Sequence, residues 1–409
     1  MCDAKQHLKF FLITAMVVCS SVVFALNWSE VESLAREKNH DLKSAQKQLE
    51  SYQWTYKKAY SSYLPQLSAN LSTSASFGAA ARTYSYGLSA TQSIFDGLDN
   101  YYNVQSAYAD LKYYESSLKK AEAEFSYNIR SAYLDLFFAQ ENVAILEKIL
   151  EQRISNARLI ALRYKSGKED KGNLMRTQAD QAQAEYDFAA AKRDLALAKL
   201  NLSQLIEQNV DDLQDLGSVE AVSQDNFDQL VKRSPSYVMA KYQLESAQIA
   251  KNATIAGFLP SVSLGANYSN RGNSWPPNSE NSSWTLSLSY SFFPGGSNIA
   301  DAMIYNLKLE KAEQDFKQSE NDLRYSVQKA YSDFSDALEA LEVKTVSLAA
   351  AKERAIIARA KYLNGLINYD DWDRIENDYV AAQNNLLTYR KAAYLAEASW
   401  YKAYGGTKK

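Results

Sequence analysis

The side chains that most often carry out chemistry are nearly missing from this sequence. It holds two cysteines and two histidines in 409 residues, and of these four only His40 lies beyond residue 25. No Cys/His spacing suits a metal, no glycine-rich loop is set to cradle a phosphate, and no nucleophile elbow is present. Paired carboxylates are the remaining route to acid–base catalysis, but the helices that carry them are too polar to enclose a dry cleft. One acidic run stands out, Asp370, Asp371 and Asp373 followed by Arg374. Taken alone it is a solvated charge cluster. The chain is therefore read as a non-enzyme without cofactor or metal, and its function must lie in its architecture.

The first 25 residues read as a signal peptide. Lys5 and Lys9 form a basic start, Phe10 to Val23 is an apolar run, and Val23-Phe24-Ala25 offers a small-residue cleavage site. That run is short for a membrane span. Cys2 and Cys19 both fall within the first 25 residues, so cleavage after Ala25 leaves a chain free of disulfides. Lipidation at Cys19 is the alternative, and Val18 before it fits that signal poorly. Net charge is −3, which argues against a nucleic-acid partner. Glycine and proline are scarce (14 and 6) while tyrosine is abundant (29). Such a chain is mostly helix, with amphipathic aromatics suited to interfaces.

The sequence is also written twice. Leu64-Pro65 returns as Leu259-Pro260, Phe95-Asp96-Gly97 as Phe293-Pro294-Gly295, and Tyr164 to Gly167 as Tyr362 to Gly365. Each repeat has the same order of helix, two strands, a very long helix and a further helix. The first spans 26–208, with strands at about 66–77 and 84–95 and helices at 98–166 and 170–206. The second spans 226–409, with strands at about 261–269 and 284–293 and helices at 297–364 and 368–404. The acidic stretch 209–225 is read as the linker. Ser29 with Glu32 resembles a capping box opening a first helix that runs to about Ser62. From Gly97 to Gly167 no Gly or Pro intervenes, enough for a helix of about 100 Å. Ile129, Leu136, Val143, Leu150 and Ala157 fall seven apart, with Ala132, Ala139, Leu146 and Ile160 three further on. Arg153 is the one polar interruption of that seam. A second stripe (Phe125, Phe137, Phe138, Ile145, Ile149) widens the apolar face enough for a neighbour on each side, as in a ring of helices; a bundle core would also present so broad a face.

The four strand segments alternate with period two. Leu67, Ala69 and Leu71 interleave with Ser68, Asn70 and Ser72; Trp284, Leu286 and Leu288 interleave with Thr285, Ser287 and Ser289. One face is apolar and the other small and polar, with aromatics near the ends and no charge within the alternating segments. Length and pattern fit membrane-spanning strands with a wet interior. A soluble sheet would normally place charges on its wet face. Four strands cannot close a barrel and lipid does not tolerate an open edge, so the chain must oligomerise or gain strands from elsewhere; three copies would give twelve. The hairpin loops expected are Gly78 to Thr83 and a longer one, Asn270 to Ser283.

In the Leu-Pro pairs, the Phe-x-Gly exits, the paired tip motifs (Arg163 to Gly167, Lys361 to Gly365) and the terminal Tyr401 to Gly406, the chain resembles the TolC-like outer membrane efflux proteins. The resemblance implies a mainly α fold with a β membrane part. It would be a homotrimer whose 12-stranded β-barrel in the outer membrane of a Gram-negative bacterium continues into a 12-helix periplasmic α-barrel. The partners implied are outer-membrane lipid, a periplasmic adaptor protein and an inner-membrane transporter. The function implied is a passive exit duct of a tripartite efflux pump or type I secretion system. Adaptor contact falls at the helix tips, Tyr164, Gly167, Tyr362 and Gly365. A periplasmic gate falls at Tyr362, Asp370, Asp371, Asp373 and Arg374. Two positions depart from the family's pattern: Arg374 replaces a second acid, and Ile367 stands where a locking arginine is expected, with Arg153 where its acid partner would be. The competing reading is a periplasmic or secreted coiled-coil scaffold, for which charge-free aromatic-flanked strand pairs have no use.

Overall fold

The computed structural model describes residues 27–75, 82–213, 216, 219 and 226–407. The signal peptide, Cys19, the first hairpin loop and most of the acidic stretch lie outside these. Eight α-helices and four strands follow in order: α1 (Trp28–Lys38), α2 (His40–Ala59), β1 (Gln66–Ser74), β2 (Thr83–Phe95), α3 (Asp99–Lys165), α4 (Lys171–Ile206), α5 (Phe227–Arg233), α6 (Pro235–Ala253), β3 (Ser261–Gly272), β4 (Ser279–Ser289), α7 (Ser297–Leu363) and α8 (Tyr369–Tyr404). Both α3 and α7 have 67 residues, and both α4 and α8 have 36.

The short helices stack in pairs on either side of the long ones. α3 packs on α2 and α6 toward the sheet and on α4 and α8 toward the far end, while α7 packs on α6 and then α8. At either level the wall is four helices wide. Equivalent core residues of the long and returning helices lie 198 positions apart. Ile129, Leu136 and Leu202 are buried beneath α1 with Val31, and Val327, Phe334 and Trp400 are buried beneath α5 with Val231. The heptad seam of α3 is buried at its two ends, and its middle, from Ala139 to Leu150, is only half-buried.

Local chemistry moves several boundaries. The first capping box is Asn27 with Glu30, not Ser29 with Glu32: the Asn27 side chain accepts from Glu30 N (3.0 Å) and Glu30 accepts from Asn27 N (3.0 Å). The first helix is not continuous. Asn39 ends α1 and caps α2 by accepting from Leu42 N at 2.7 Å. Ser234 does the same between α5 and α6, with Pro235 in the first turn. The stretch read as a linker is packed down, because Val210 and Leu216 are buried in the α1–α3–α4 core and Leu216 O accepts from the Tyr394 hydroxyl at 3.1 Å.

The strands form one antiparallel sheet in the order β1-β2-β3-β4. The β3–β4 ladder continues through Asn270↔Glu280 and Arg271↔Ser279. Residues read as loop are therefore strand, and β4 ends at Ser289 rather than 293. Neither face is covered: every residue of β1 and β4 is exposed, with Leu67 at 78% and Phe292, just past β4, at 87%. On the opposite face serine hydroxyls pair across strands, Ser68 with Ser89 (2.6 Å) and Ser72 with Ser85 (2.7 Å). The outer edges of β1 and β4 have no strand beside them among the described residues.

Candidate functional site

The two hairpins, α3/α4 and α7/α8, turn at the end of the wall farthest from the sheet. Both turns are built alike. Gly167 (φ 70°) and Gly365 (φ 73°) take the left-handed conformation that glycine adopts without strain. Lys168 N then donates to Arg163 O and Leu366 N to Lys361 O, each at 2.9 Å, which closes the end of the long helix. Asp170 and Asn368 cap the returning helices, accepting from Asn173 N (2.9 Å) and Asp371 N (2.8 Å). No atom approaches either glycine from outside. Tyr164, Leu162, Leu363 and Leu366 project from the turns as exposed apolar groups.

The hairpins are docked on one another by an aromatic and polar clasp. Tyr362 of α7 is 2% exposed. Its ring stacks on Trp372 (4.6 Å, 4°) and meets Tyr369 edge-on, and the Arg163 guanidinium lies 4.5 Å over its centroid. Its hydroxyl donates to Glu169, in the loop between α3 and α4, and Glu169 also faces Arg163 at 4.0 Å. Burial, then the Glu169 hydrogen bond and charge, push the Tyr362 hydroxyl well above the ordinary tyrosine pKa. It therefore stays a donor at any physiological pH.

Four further ties run between the hairpins. Gln152 of α3 donates to Glu376 of α8, which also accepts from Trp372 Nε1 at 3.2 Å. Arg153 donates to Asn377 and Arg359 to Ser155. Arg176 of α4 pairs with Asp373 at 2.7 Å. Burial raises the carboxyls of Asp373 and Glu376 above their usual range. Arg176 opposes the shift at Asp373 while Asp180 adds to it, and at Glu376 the bonds from Gln152 and Trp372 oppose it.

The acidic run therefore divides. Asp373 is 4% exposed and belongs to the clasp. Asp370 is exposed, and Asp371 is half-buried, pairing with the exposed Arg374 at 3.0 Å. Ile367 packs against the Tyr362–Trp372 cluster, and Arg153 is buried with Asn377 as partner. Sequence reasoning brought forward Tyr362 and Asp373. It missed Glu169, Gln152, Arg176 and Glu376, each of which has a partner in the other repeat, and Trp372, whose partners Tyr362, Tyr369 and Glu376 lie in its own. The one local signal was the pair of aromatics, Tyr369 and Trp372, that flank two acids in the first turn of α8.

The whole arrangement, a bare sheet carried on a four-helix wall with clasped tips, defines a class of membrane duct. Residues 31–207 and 226–406 match the family model described as outer membrane efflux protein, and the chain belongs to that family. It is an outer-membrane protein whose helical part lies in the periplasm, and the family is one of efflux channels rather than enzymes. The chain is 25% identical over 324 residues to the cation efflux system protein CusC of Escherichia coli (strain K12), covering 75% of this chain and 62% of that protein. It thus spans less than two thirds of the length of the curated relatives it matches. Solved structures of the same fold include CusC (TM-score 0.83, 20% identity, 92% of each chain). VceC from Vibrio cholerae is another (TM-score 0.79, 17% identity, 93% of this chain and 96% of that one).

Proposed function

We propose that three copies of this chain form a passive exit duct, a 12-stranded β-barrel continuous with a 12-helix periplasmic tunnel. The observation that carries this is the sheet. It is exposed on both faces and free at both edges, yet it is joined to a wall of the same fourfold width. Lipid on the leucine face, water on the serine face and a neighbouring copy at each edge satisfy every group that a single chain leaves open. A coiled-coil scaffold accounts for the helices but leaves that sheet without an environment.

In this reading a periplasmic adaptor docks on the exposed apolar tips around Tyr164, Gly167 and Gly365. The clasp about Tyr362 and Asp373 is the gate, with Asp370, Asp371 and Arg374 on its rim. Opening is a repacking of α7/α8 away from α3/α4. An inner-membrane transporter, of an efflux pump or a type I secretion system, supplies the energy and selects the cargo, so the cation in the CusC name is not carried over.

The test is planar-bilayer conductance of the detergent-purified protein. The expected result is a trimer with low basal conductance that rises in Tyr362→Phe and Arg176→Ala. A monomer that forms no channel overturns the duct. Channels whose conductance is the same in both variants overturn the clasp as gate.

A further inference from the structure

The loop from Gly272 to Ser279, which joins β3 to β4, has no part in the duct as described so far. It carries Trp275-Pro276-Pro277 and doubles back on the sheet. Trp275 lies edge-on to Tyr84 and Tyr86, at 6.2 and 6.3 Å between ring centroids, and Pro277 is buried. Gly272 makes room for the fold-back, since a Cβ there would stand 3.0 Å from Pro277 Cα and 3.1 Å from Asn278 N. Tyr84 and Tyr86 share the face of β2 that carries Leu88 and, past a bulge at Ile94, Phe95 opposite Val262. The loop has therefore closed onto the apolar face of the sheet, away from the serine face. Trp275 nonetheless remains 59% exposed.

We infer that this loop is a membrane-interface anchor, with Trp275, Tyr84 and Tyr86 seated in the lipid headgroup layer around the barrel. The inference rests on the barrel reading above and goes beyond it by assigning the loop a partner and an outward direction. The level is right. Tyr84 and Phe95 stand opposite Gly272 and Val262, ten steps apart on β3 and about 33 Å along a strand, and a tilt of about 40° makes that a band about 25 Å tall. The chemistry is right as well. Trp and Tyr are the side chains that settle where one end is apolar and the other wet. Glu280, opposite Asn270 in the ladder, is the first charge met on that face of β4, and it lies at this end. Below it Trp284, Leu286 and Leu288 are uncharged and exposed. A loop held outward in this way leaves the mouth of the duct uncovered.

The test places a fluorophore beside the anchor, at Ser274→Cys, in a full chain with Cys2→Ser and Cys19→Ser, reconstituted in phosphatidylcholine vesicles. A nitroxide on the lipid headgroup should quench it strongly, and adding Trp275→Ala should reduce that quenching several-fold. A second label at Leu88→Cys should be quenched by a mid-chain nitroxide. The anchor is overturned if the Leu88 label is lipid-quenched while the Ser274 label responds only to aqueous iodide, or if Trp275→Ala changes nothing. A Leu88 label untouched by lipid quenchers overturns the barrel reading and the anchor with it.

Discussion

At Asp373 burial and the neighbouring acids Asp180 and Asp370 work against two arginines, Arg176 and Arg153. The carboxylate is buried between α8 and α4, Arg176 holds it at 2.7 Å, and Asp180 stands near enough to raise its pKa further. The Arg176 side chain is itself half-exposed, so it can be solvated if its partner is lost, whereas Asp373 cannot. The two partners are therefore unequal. Arg176→Ala leaves a buried carboxylate without its ion-pair partner and should cost about 1–3 kcal/mol, while Asp373→Asn should be tolerated. The pH dependence follows from the direction of the shift. Because burial raises the folded-state pKa of Asp373 and Glu376, the folded chain binds protons there more readily than the unfolded one. Stability contributed at these sites thus rises as pH falls from above the folded pKa toward the ordinary carboxylate value. The Arg176→Ala defect should shrink on mild acidification, as followed by thermal unfolding in detergent between neutral pH and about pH 5. A defect that grows with acidification would mean that Asp373 is not buried as described. None of these pairings was legible in the sequence. Arg176 and Asp373 are almost 200 residues apart, and they meet because two hairpins dock sideways, a relation that leaves no local spacing. Asp373 could be seen as one of an acidic run, but its separation from Asp370 and Asp371 depends on which side of α8 faces α4.

Elements are set by local rules that the two repeats apply with small differences, and one of these differences carries strain. Each long helix starts from two residues with positive φ: Gly295 (69°) and Gly296 (85°) before α7, but Gly97 (71°) and Leu98 (77°) before α3. A leucine in the left-handed region costs about 1–2 kcal/mol, less the entropy a glycine gives up on ordering. Leu98→Gly should therefore raise stability by up to about 1 kcal/mol, and Gly296→Leu should lower it by a similar amount. Gly97→Ala should be worse than φ alone predicts, because its Cβ would meet Ala256 O at 2.9 Å. Thermal unfolding of the three variants in one detergent decides the order, and a destabilising Leu98→Gly would show that the leucine's packing outweighs its backbone. The long helices were readable because no breaker interrupts them, and the period-two strands because serine and leucine alternate without a charge. The breaks at Asn39 and Ser234 were not readable. Both residues fit a cap as well as a helix surface, and only the geometry of the chain around them decides. The stretch around Val210 and Leu216 misled for a different reason. Among its described residues Asp211 and Asp212 face solvent, whereas Val210 and Leu216 reach a core built by α1, α3, α4 and α8.

For the molecule as a whole, adjacent residues on a strand must meet opposite solvents if the duct is right. Leu286 and Ser287 make the sharpest pair: Leu286 stands opposite Leu264 on the apolar face and Ser287 opposite Ser263 on the other, and both are exposed in a single chain. A soluble sheet with one face resting on a partner protein would tolerate lysine on whichever face was wet, with no bilayer involved. In the barrel, lysine near the middle of the lipid face costs about 2–4 kcal/mol, whereas a lysine directed into the lumen tunes selectivity at little cost. Leu286→Lys should accordingly reduce assembly of the membrane-inserted trimer. Ser287→Lys should assemble normally and shift the channel toward anion selectivity in asymmetric salt. The two outcomes depend on the alternation itself, since the substitutions differ by one position and introduce the same side chain. If both variants assemble equally and neither changes reversal potential, the serine face does not line a conducting path, and the helical wall would have to serve some purpose other than export.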